Sequence, residues 1–213
     1  MAFTYFFRDG QTLDLIAEHI LPELKRRRHI NVWDAGCAHG PEPYSLAITI
    51  REHMGHFMFR NVVIHATDID ESNLFGEAIG NGVYPYKELQ RIPRELFERY
   101  FAAAEGGAPA ESNSDSSLTR FRINEEVRRA VRYKRHDLLS LQPIRDGLDM
   151  VMCKNVLLHF APEARLEVLR MFHQALSPEG YLVTEQTQKL PPEVEPLFRR
   201  VTNAGQLFQK IAA

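Results

Sequence analysis

Cysteine is scarce: Cys37 and Cys153 are the only two in 213 residues, and they lie far apart. No disulfide framework follows, and a reducing, cytoplasmic setting is the expectation. No apolar run approaches membrane-spanning length, and the amino terminus lacks a basic segment followed by an apolar core. Neither membrane insertion nor export is therefore expected. Charge of one sign is not in excess, since the formal net charge is −2, so bulk electrostatics give no reason to expect nucleic acid or a membrane surface as partner. The closely spaced His53 and His56 have no acidic or cysteine partner at ligand spacing, and no metal is expected. The phosphate-gripping patterns, Gly-Lys-Ser/Thr and G-x-G-x-x-G, are missing as well. What remains is an ordinary globular composition, 44% hydrophobic and 25% charged, over a length that suits one domain with a small insertion.

The stretch with most to say is Ile30-Asn-Val-Trp-Asp-Ala-Gly-Cys-Ala-His-Gly-Pro-Glu-Pro-Tyr-Ser45. It reads as a strand that stops at a glycine loop and a helix that begins at Pro41 or Pro43. Gly36 and Gly40 lack Cβ atoms, so a flat ligand can lie against the backbone. Acids bracket this loop, Asp34 before it and Glu42 after it. Carboxylates repel a pyrophosphate but suit a cationic sulfonium or ammonium with sugar hydroxyls, which describes S-adenosylmethionine. An ordinary strand-to-helix turn is the plainer reading. A second β-rich run, Asn61-Val-Val-Ile-His-Ala-Thr-Asp-Ile-Asp70, also ends in acids. Ligands of open parallel sheets bind at the carboxyl ends of strands, so Asp68 can reach a ribose diol, while Asp70 reads as the cap of a helix from Glu71.

Together with Thr4-Tyr-Phe-Phe-Arg-Asp9, Asp137-Leu-Leu139 and Cys153-Lys-Asn-Val-Leu-Leu-His-Phe160, these motifs run nearly end to end. In that order they resemble the catalytic domain of the chemotaxis-receptor glutamate methyltransferases, the CheR-type family. The resemblance implies a cytoplasmic S-adenosylmethionine-dependent methyltransferase, its product S-adenosylhomocysteine, and a protein acceptor. Carried over by motif, cofactor-binding positions are Thr4, Arg8, Asp34, Gly36, Gly40, Glu42, Asp68, Ile69, Asp137, Leu138, Asn155 and Val156. Arg8, His159 and Lys154 become the catalytic candidates, with Arg8 approaching the methyl group and the acceptor. The family's helical domain ahead of the Thr4 motif has no counterpart in the three residues before it.

Alternation of strand and helix patterns predicts a doubly wound α/β sheet. The resemblance adds that it is a Rossmann-like class I methyltransferase sheet, mostly parallel, with an antiparallel last strand formed by 198–201 and 207–211. Residues 1–213 are read as one methyltransferase domain. Residues 102–117, small and polar, have little to bury and predict a flexible loop. A small β subdomain is expected over 118–136, carrying a basic patch of Arg128, Arg129, Arg132, Lys134 and Arg135. A solvated face and a dock for an acidic protein partner both fit that patch, and the resemblance implies docking.

Three positions depart from the family's pattern. Its tyrosine near the methyl is His159 here, its arginine in Cys-Arg-Asn is Lys154, and its Gly-His-Ser-Glu is Thr184-Glu-Gln-Thr187. A carboxylate acceptor is ionised at neutrality and needs no base. A hydroxyl or amine acceptor does, and His159 can be a base, a hydrogen-bond donor or a packed residue. A module that holds the cofactor without turnover is the third reading.

Overall fold

The computed structural model describes residues 4–104 and 119–211. Helices α1 (Gly10–His19) and α2 (Leu21–Leu24) lead into strand β1 (Ile30–Ala35), which is followed by α3 (Pro41–Phe59) and β2 (Val62–Asp68). Then come α4 (Phe75–Asn81), β3 (Val83–Pro85), α5 (Tyr86–Leu89), α6 (Arg94–Tyr100), β4 (Phe101–Ala103) and β5 (Arg120–Ile123). The chain closes with α7 (Glu125–Ala130), β6 (Val131–Arg135), β7 (Leu148–Cys153), α8 (Pro162–Ala175), β8 (Leu176–Thr184), β9 (Phe198–Arg200) and β10 (Leu207–Lys210).

Helices cover both faces of the central sheet, which is why β7 is buried at every residue and reads as a nearly continuous apolar run, interrupted only by Asp149. The period of two still sorts its neighbours between the faces. Ile30, Val32, Met150, Met152, Tyr181 and Val183 pack with α1 and α3, whereas Trp33, Ala35, Val151, Cys153 and Leu182 pack with α8. The seven strands lie in the order β6-β2-β1-β7-β8-β10-β9. All neighbours from β6 to β8 are parallel, and β10 runs antiparallel to both β8 and β9. The expected doubly wound sheet with an antiparallel last strand is thus present. From β1 the chain proceeds to one side through β2 and β6, then returns to the other side at β7. The reversal between β1 and β7 is the topological switch point where such sheets open a crevice.

The small sheet differs from the expectation of a β subdomain over 118–136. It is three-stranded, in the order β3-β5-β4, so it draws on residues 83–85 and 101–103 as well as 120–123. Val131–Arg135 leaves it and pairs with β2 at the edge of the main sheet. Local β propensity made both runs strand-like, but the choice of partner is tertiary. The loop expected over 102–117 loses its start to β4, and its remainder from residue 105 lies outside the described residues. The basic patch divides accordingly. Arg128 and Arg129 sit on α7, each paired with Glu125, and Arg135 donates to the Ile69 carbonyl and to Asn73. Arg132 and Lys134 remain exposed on the edge strand, where charge also discourages pairing with another sheet.

The helix expected from Glu71 starts later, at Phe75. Asp70 still caps it: its carboxylate accepts from the backbone N–H of Leu74 and of Phe75 at 3.2 and 3.0 Å. Arg27, just after α2, pairs with the buried Asp149, which also accepts from the Asn31 N–H at 2.6 Å.

Candidate active site

A cleft of about 700 Å³ opens at the switch point. Its walls come from the segments that follow β1, β2, β6 and β7, and from the amino-terminal residues laid across them. Twelve of the fourteen residues singled out from sequence line it: Thr4, Arg8, Gly36, Glu42, Asp68, Ile69, Asp137, Leu138, Lys154, Asn155, Val156 and His159. Asp34 and Gly40 do not. Asp34 is fully buried at the end of β1. Gly40 serves packing: it holds a φ of 116°, and a Cβ there would stand 2.3 Å from the Tyr84 hydroxyl. Gly36 does open the cleft, since at φ 103° a Cβ would meet Val156 Cγ2 at 2.1 Å.

One cation and three carboxylates meet at the floor. Lys154 Nζ lies 3.1 Å from Glu42 Oε2 and 3.3 Å from Asp9 Oδ2, with its side chain 1% exposed. Burial opposes the lysine's charge, but Glu42 and then Asp9 outweigh it and raise its pKa above the ordinary value. Beneath Glu42, burial first and the Glu42 charge second hold the Asp34 carboxyl well above the usual range. Both Asp34 oxygens and Glu42 Oε1 are buried with no hydrogen-bond partner among the described residues.

At the other end Asp68 accepts the Ala38 N–H on Oδ2 at 2.9 Å and the Asp70 N–H on Oδ1 at 3.1 Å. These bonds hold the glycine loop and leave lone pairs on both oxygens for a ligand. Ile69, Leu138 and Leu139 supply apolar wall nearby. Asp137 spends one oxygen on the Leu139 N–H at 2.8 Å. Across the cleft Asn155 adopts a left-handed φ of 57°, and its N–H donates to Glu185 at 3.1 Å. His159 is exposed at the rim, on the short turn Leu157–His159.

The aromatic start of the chain explains how Thr4 and Arg8 reach the cleft. Phe6 is fully buried, edge-on to Tyr84 at 5.0 Å and to Phe101 at 5.5 Å. The Phe7 N–H donates to Ser45 Oγ at 2.8 Å, so the segment is fixed to the small sheet on one side and to α3 on the other.

Sequence reasoning missed Ala38, Thr67, His136, Leu139, Leu158 and Phe160, all of which line the cleft. Each adjoins a residue it did name or a motif it quoted, so the signal was position beside a strand end. Asp9 and Glu185 were quoted within motifs without a role. Among the described residues no group of three or more His, Cys, Asp or Glu side chains is arranged to hold a metal, and no helix is long and apolar enough to cross a membrane.

A family model described as CheR methyltransferase, SAM binding domain, matches residues 2–205. Chemotaxis protein methyltransferase 2 of Pseudomonas aeruginosa is 33% identical over 178 residues, covering 83% of this chain and 59% of its own length. The chemotaxis protein methyltransferase of Vibrio anguillarum is 31% identical over 191 residues, 88% of this chain and 64% of that protein. A probable chemotaxis protein methyltransferase of Rhizobium etli is 26% identical over 204 residues, 93% and 72% respectively. Among solved structures, a TehB-like SAM-dependent methyltransferase from Corynebacterium glutamicum overlaps 95% of this chain and 93% of its own at 13% identity and a TM-score of 0.47. The chain thus spans about three fifths of the length of the first two relatives. Because the family model takes in all but the first residue and the last eight, this chain belongs to the CheR methyltransferase family and corresponds to its SAM-binding domain.

Proposed function

We propose that the cleft holds S-adenosylmethionine and that the chain transfers its methyl group to a carboxylate, such as a glutamate side chain of a protein. The observation that carries this reading is the anionic wall of the cleft, where the Glu42 carboxylate stands beside Lys154 and Asp68 ends β2. An α-ammonium group at the Glu42 carboxylate would supply the opposite charge. The rest of the lining fits the same ligand. Asp68 has lone pairs for ribose hydroxyls, Ile69 and Leu138 offer apolar faces for a base, and Gly36 admits close approach. The volume falls within the usual range for small-molecule sites.

When bound, the cofactor supplies an electrophilic methyl on a cationic sulfonium. The chain's own residues then have two tasks, alignment and charge control. Arg8 and His159 border the cleft on the side of Lys154 and Asn155, where Arg8 steers an anionic acceptor. Lys154, pinned by Glu42 and Asp9, keeps the floor from accumulating uncompensated negative charge. No side chain need remove a proton, since a carboxylate is already ionised. The His159 ring meets no hydrogen-bonding partner among the described residues that would orient it. Arg132 and Lys134 would attract an acidic segment of a protein acceptor, with the salt sensitivity that exposed charges carry.

The experiment is methyl incorporation from labelled S-adenosylmethionine into candidate acceptor proteins. An alkali-labile product, and a rate that is flat between roughly pH 6.5 and 8.5, support the carboxylate. A stable product with an acid limb abolished by His159→Tyr assigns the base role to His159. Binding without incorporation into any acceptor points to a regulatory module.

A further inference from the structure

Asp34 lies where no ligand reaches it, yet it faces the residue on which cofactor recognition turns. Its side chain belongs to the alternation of Ile30 and Val32, toward the face covered by α3, on whose first turn Glu42 sits. The groups around it come from every packed element: Glu42 from α3, Lys154 after β7, Asp68 at the end of β2, and the buried thiols Cys37 and Cys153. Burial first, and then nearby carboxylates, Asp34 for Cys37 and Glu185 for Cys153 ahead of the others, raise both thiols well above their ordinary pKa and keep them neutral. The cation that acts on Asp34, Lys154, is engaged by Glu42 and Asp9 and makes no hydrogen bond to Asp34.

Charge accounting then leaves one choice. Were Asp34 ionised, two adjoining buried carboxylates would share a lysine already claimed by Asp9. Both Asp34 oxygens would also stand buried without a donor, an arrangement that proteins avoid by neutralising one member. Neutral, Asp34 carries a proton and becomes a donor, and the acceptor left without one is Glu42 Oε1.

We propose that Asp34 is a protonated, neutral carboxyl that positions Glu42, turning toward Oε1 from below so that the Glu42 carboxylate is held to receive the ligand's ammonium from the cleft. Asp34 is thus a positioning residue and touches no ligand. This rests on the cofactor reading above for the identity of the ligand, but the proton on Asp34 is testable without one.

Infrared difference spectra of the ligand-free protein and its Asp34→Asn variant at neutral pH should contain the carbonyl stretch of a carboxylic acid from the wild type. A spectrum showing only a carboxylate lost in the variant overturns the proposal. Asparagine keeps a donor at the same place, so S-adenosylhomocysteine affinity by calorimetry should stay within about threefold. Asp34→Ala should weaken it roughly tenfold or more by leaving Glu42 unpaired. Equal loss in both variants overturns the positioning role. Linkage supplies a readout that packing alone would not move. A carboxyl whose folded-state pKa is raised binds a proton that the unfolded chain has released, so stability falls as pH rises above 3.8 toward the raised value. Relative to Asp34→Asn, the wild type should lose up to tenfold in its folded-to-unfolded ratio per pH unit within that window. Parallel curves refute it. If Asp34→Ala does not fold, the spectra and these curves still decide, and failure of wild-type protein to bind S-adenosylhomocysteine refutes the cofactor reading alone.

Discussion

Replacing Lys154 with methionine tests whether the buried ion pair organises the site. Methionine is close in shape to the lysine stem, so packing is nearly kept and charge is what changes. Lys154 is 1% exposed at the side chain and Glu42 9%, so removal strands a carboxylate that water cannot reach. Breaking a buried pair in this way costs about 3 to 5 kcal/mol. For a chain of this length each kcal/mol lowers Tm by about 2 to 4 °C, so a fall of roughly 6 to 20 °C is expected. Asp9, at 37% exposure, contributes far less through its own contact, because an exposed pair is screened. A double-mutant cycle separates the two: Lys154→Met with Glu42→Gln should recover most of the loss, and Lys154→Met with Asp9→Asn little of it. Trp33 is the one tryptophan, fully buried, and its fluorescence reports unfolding in urea. The lysine's folded-state pKa is raised, so its stabilisation is complete below 10.5 and is lost only as pH climbs through the folded value. The gap between wild type and Lys154→Met should therefore persist at neutrality and close in strong alkali. A midpoint shift worth less than about 1 kcal/mol, or a Glu42→Gln double variant no better than the single, would refute the reasoning.

Asp68→Ala should weaken S-adenosylhomocysteine about 10- to 150-fold, the loss of a charge-assisted bond of about 1.5 to 3 kcal/mol, and an unchanged calorimetric affinity would remove Asp68 from the site. Gly36→Ala should abolish cofactor binding and lower Tm, since it combines a φ of 103° with a Cβ 2.1 Å from Val156 Cγ2. Adding Val156→Ala should relieve the clash and not the backbone strain, so full recovery would refute the conformational part of the argument. Asp70→Ala should cost about 1 to 2 kcal/mol by uncapping α4. Burial resists ionisation of Asp70, but hydrogen bonds from Ser72, Tyr133, Phe75 and Leu74 outweigh it and lower its pKa. Its contribution is present above 3.8 and fades as pH falls through the lower folded value, so acid titration of wild type and variant should converge.

Most of the cleft was legible because it is built where strands stop, and stops are local events. Glycines and prolines after Ala35, acids at and after Asp68, and the polar Lys154-Asn155 after Cys153 mark those ends without any knowledge of what packs on them. Partners were not legible. Lys154 with Asp9, and Arg27 with Asp149, are joined across most of the chain, and nothing in their surroundings selects one acid over another. β6 was read as a strand but assigned to the wrong sheet for the same reason, since an exposed, Arg-rich strand has no apolar face to declare which sheet it completes. β4 was lost in an alanine-rich stretch whose pairing depends on Phe101, not on its own propensity.

Asp34 marks the limit most clearly. In a strand with one wet face, alternation would reveal whether an acid points to solvent or to the core. β1 is covered on both faces, so its sequence carries no such alternation, and an acid at its end looks the same whether it opens into a crevice or lies beneath another carboxylate. What distinguishes the two is charge compensation in three dimensions: Glu42 has a lysine on Oε2 while Asp34 has no cation within hydrogen-bonding reach. The two acids bracketing one glycine loop therefore carry opposite expectations, ionised and facing the cleft for Glu42, neutral and hidden for Asp34. Asp34→Asn should consequently be tolerated where Glu42→Gln, which removes the charge that an ammonium would meet, should weaken cofactor binding by tenfold or more. Calorimetry on the two variants side by side decides it, and a larger loss for Asp34→Asn would reverse the assignment.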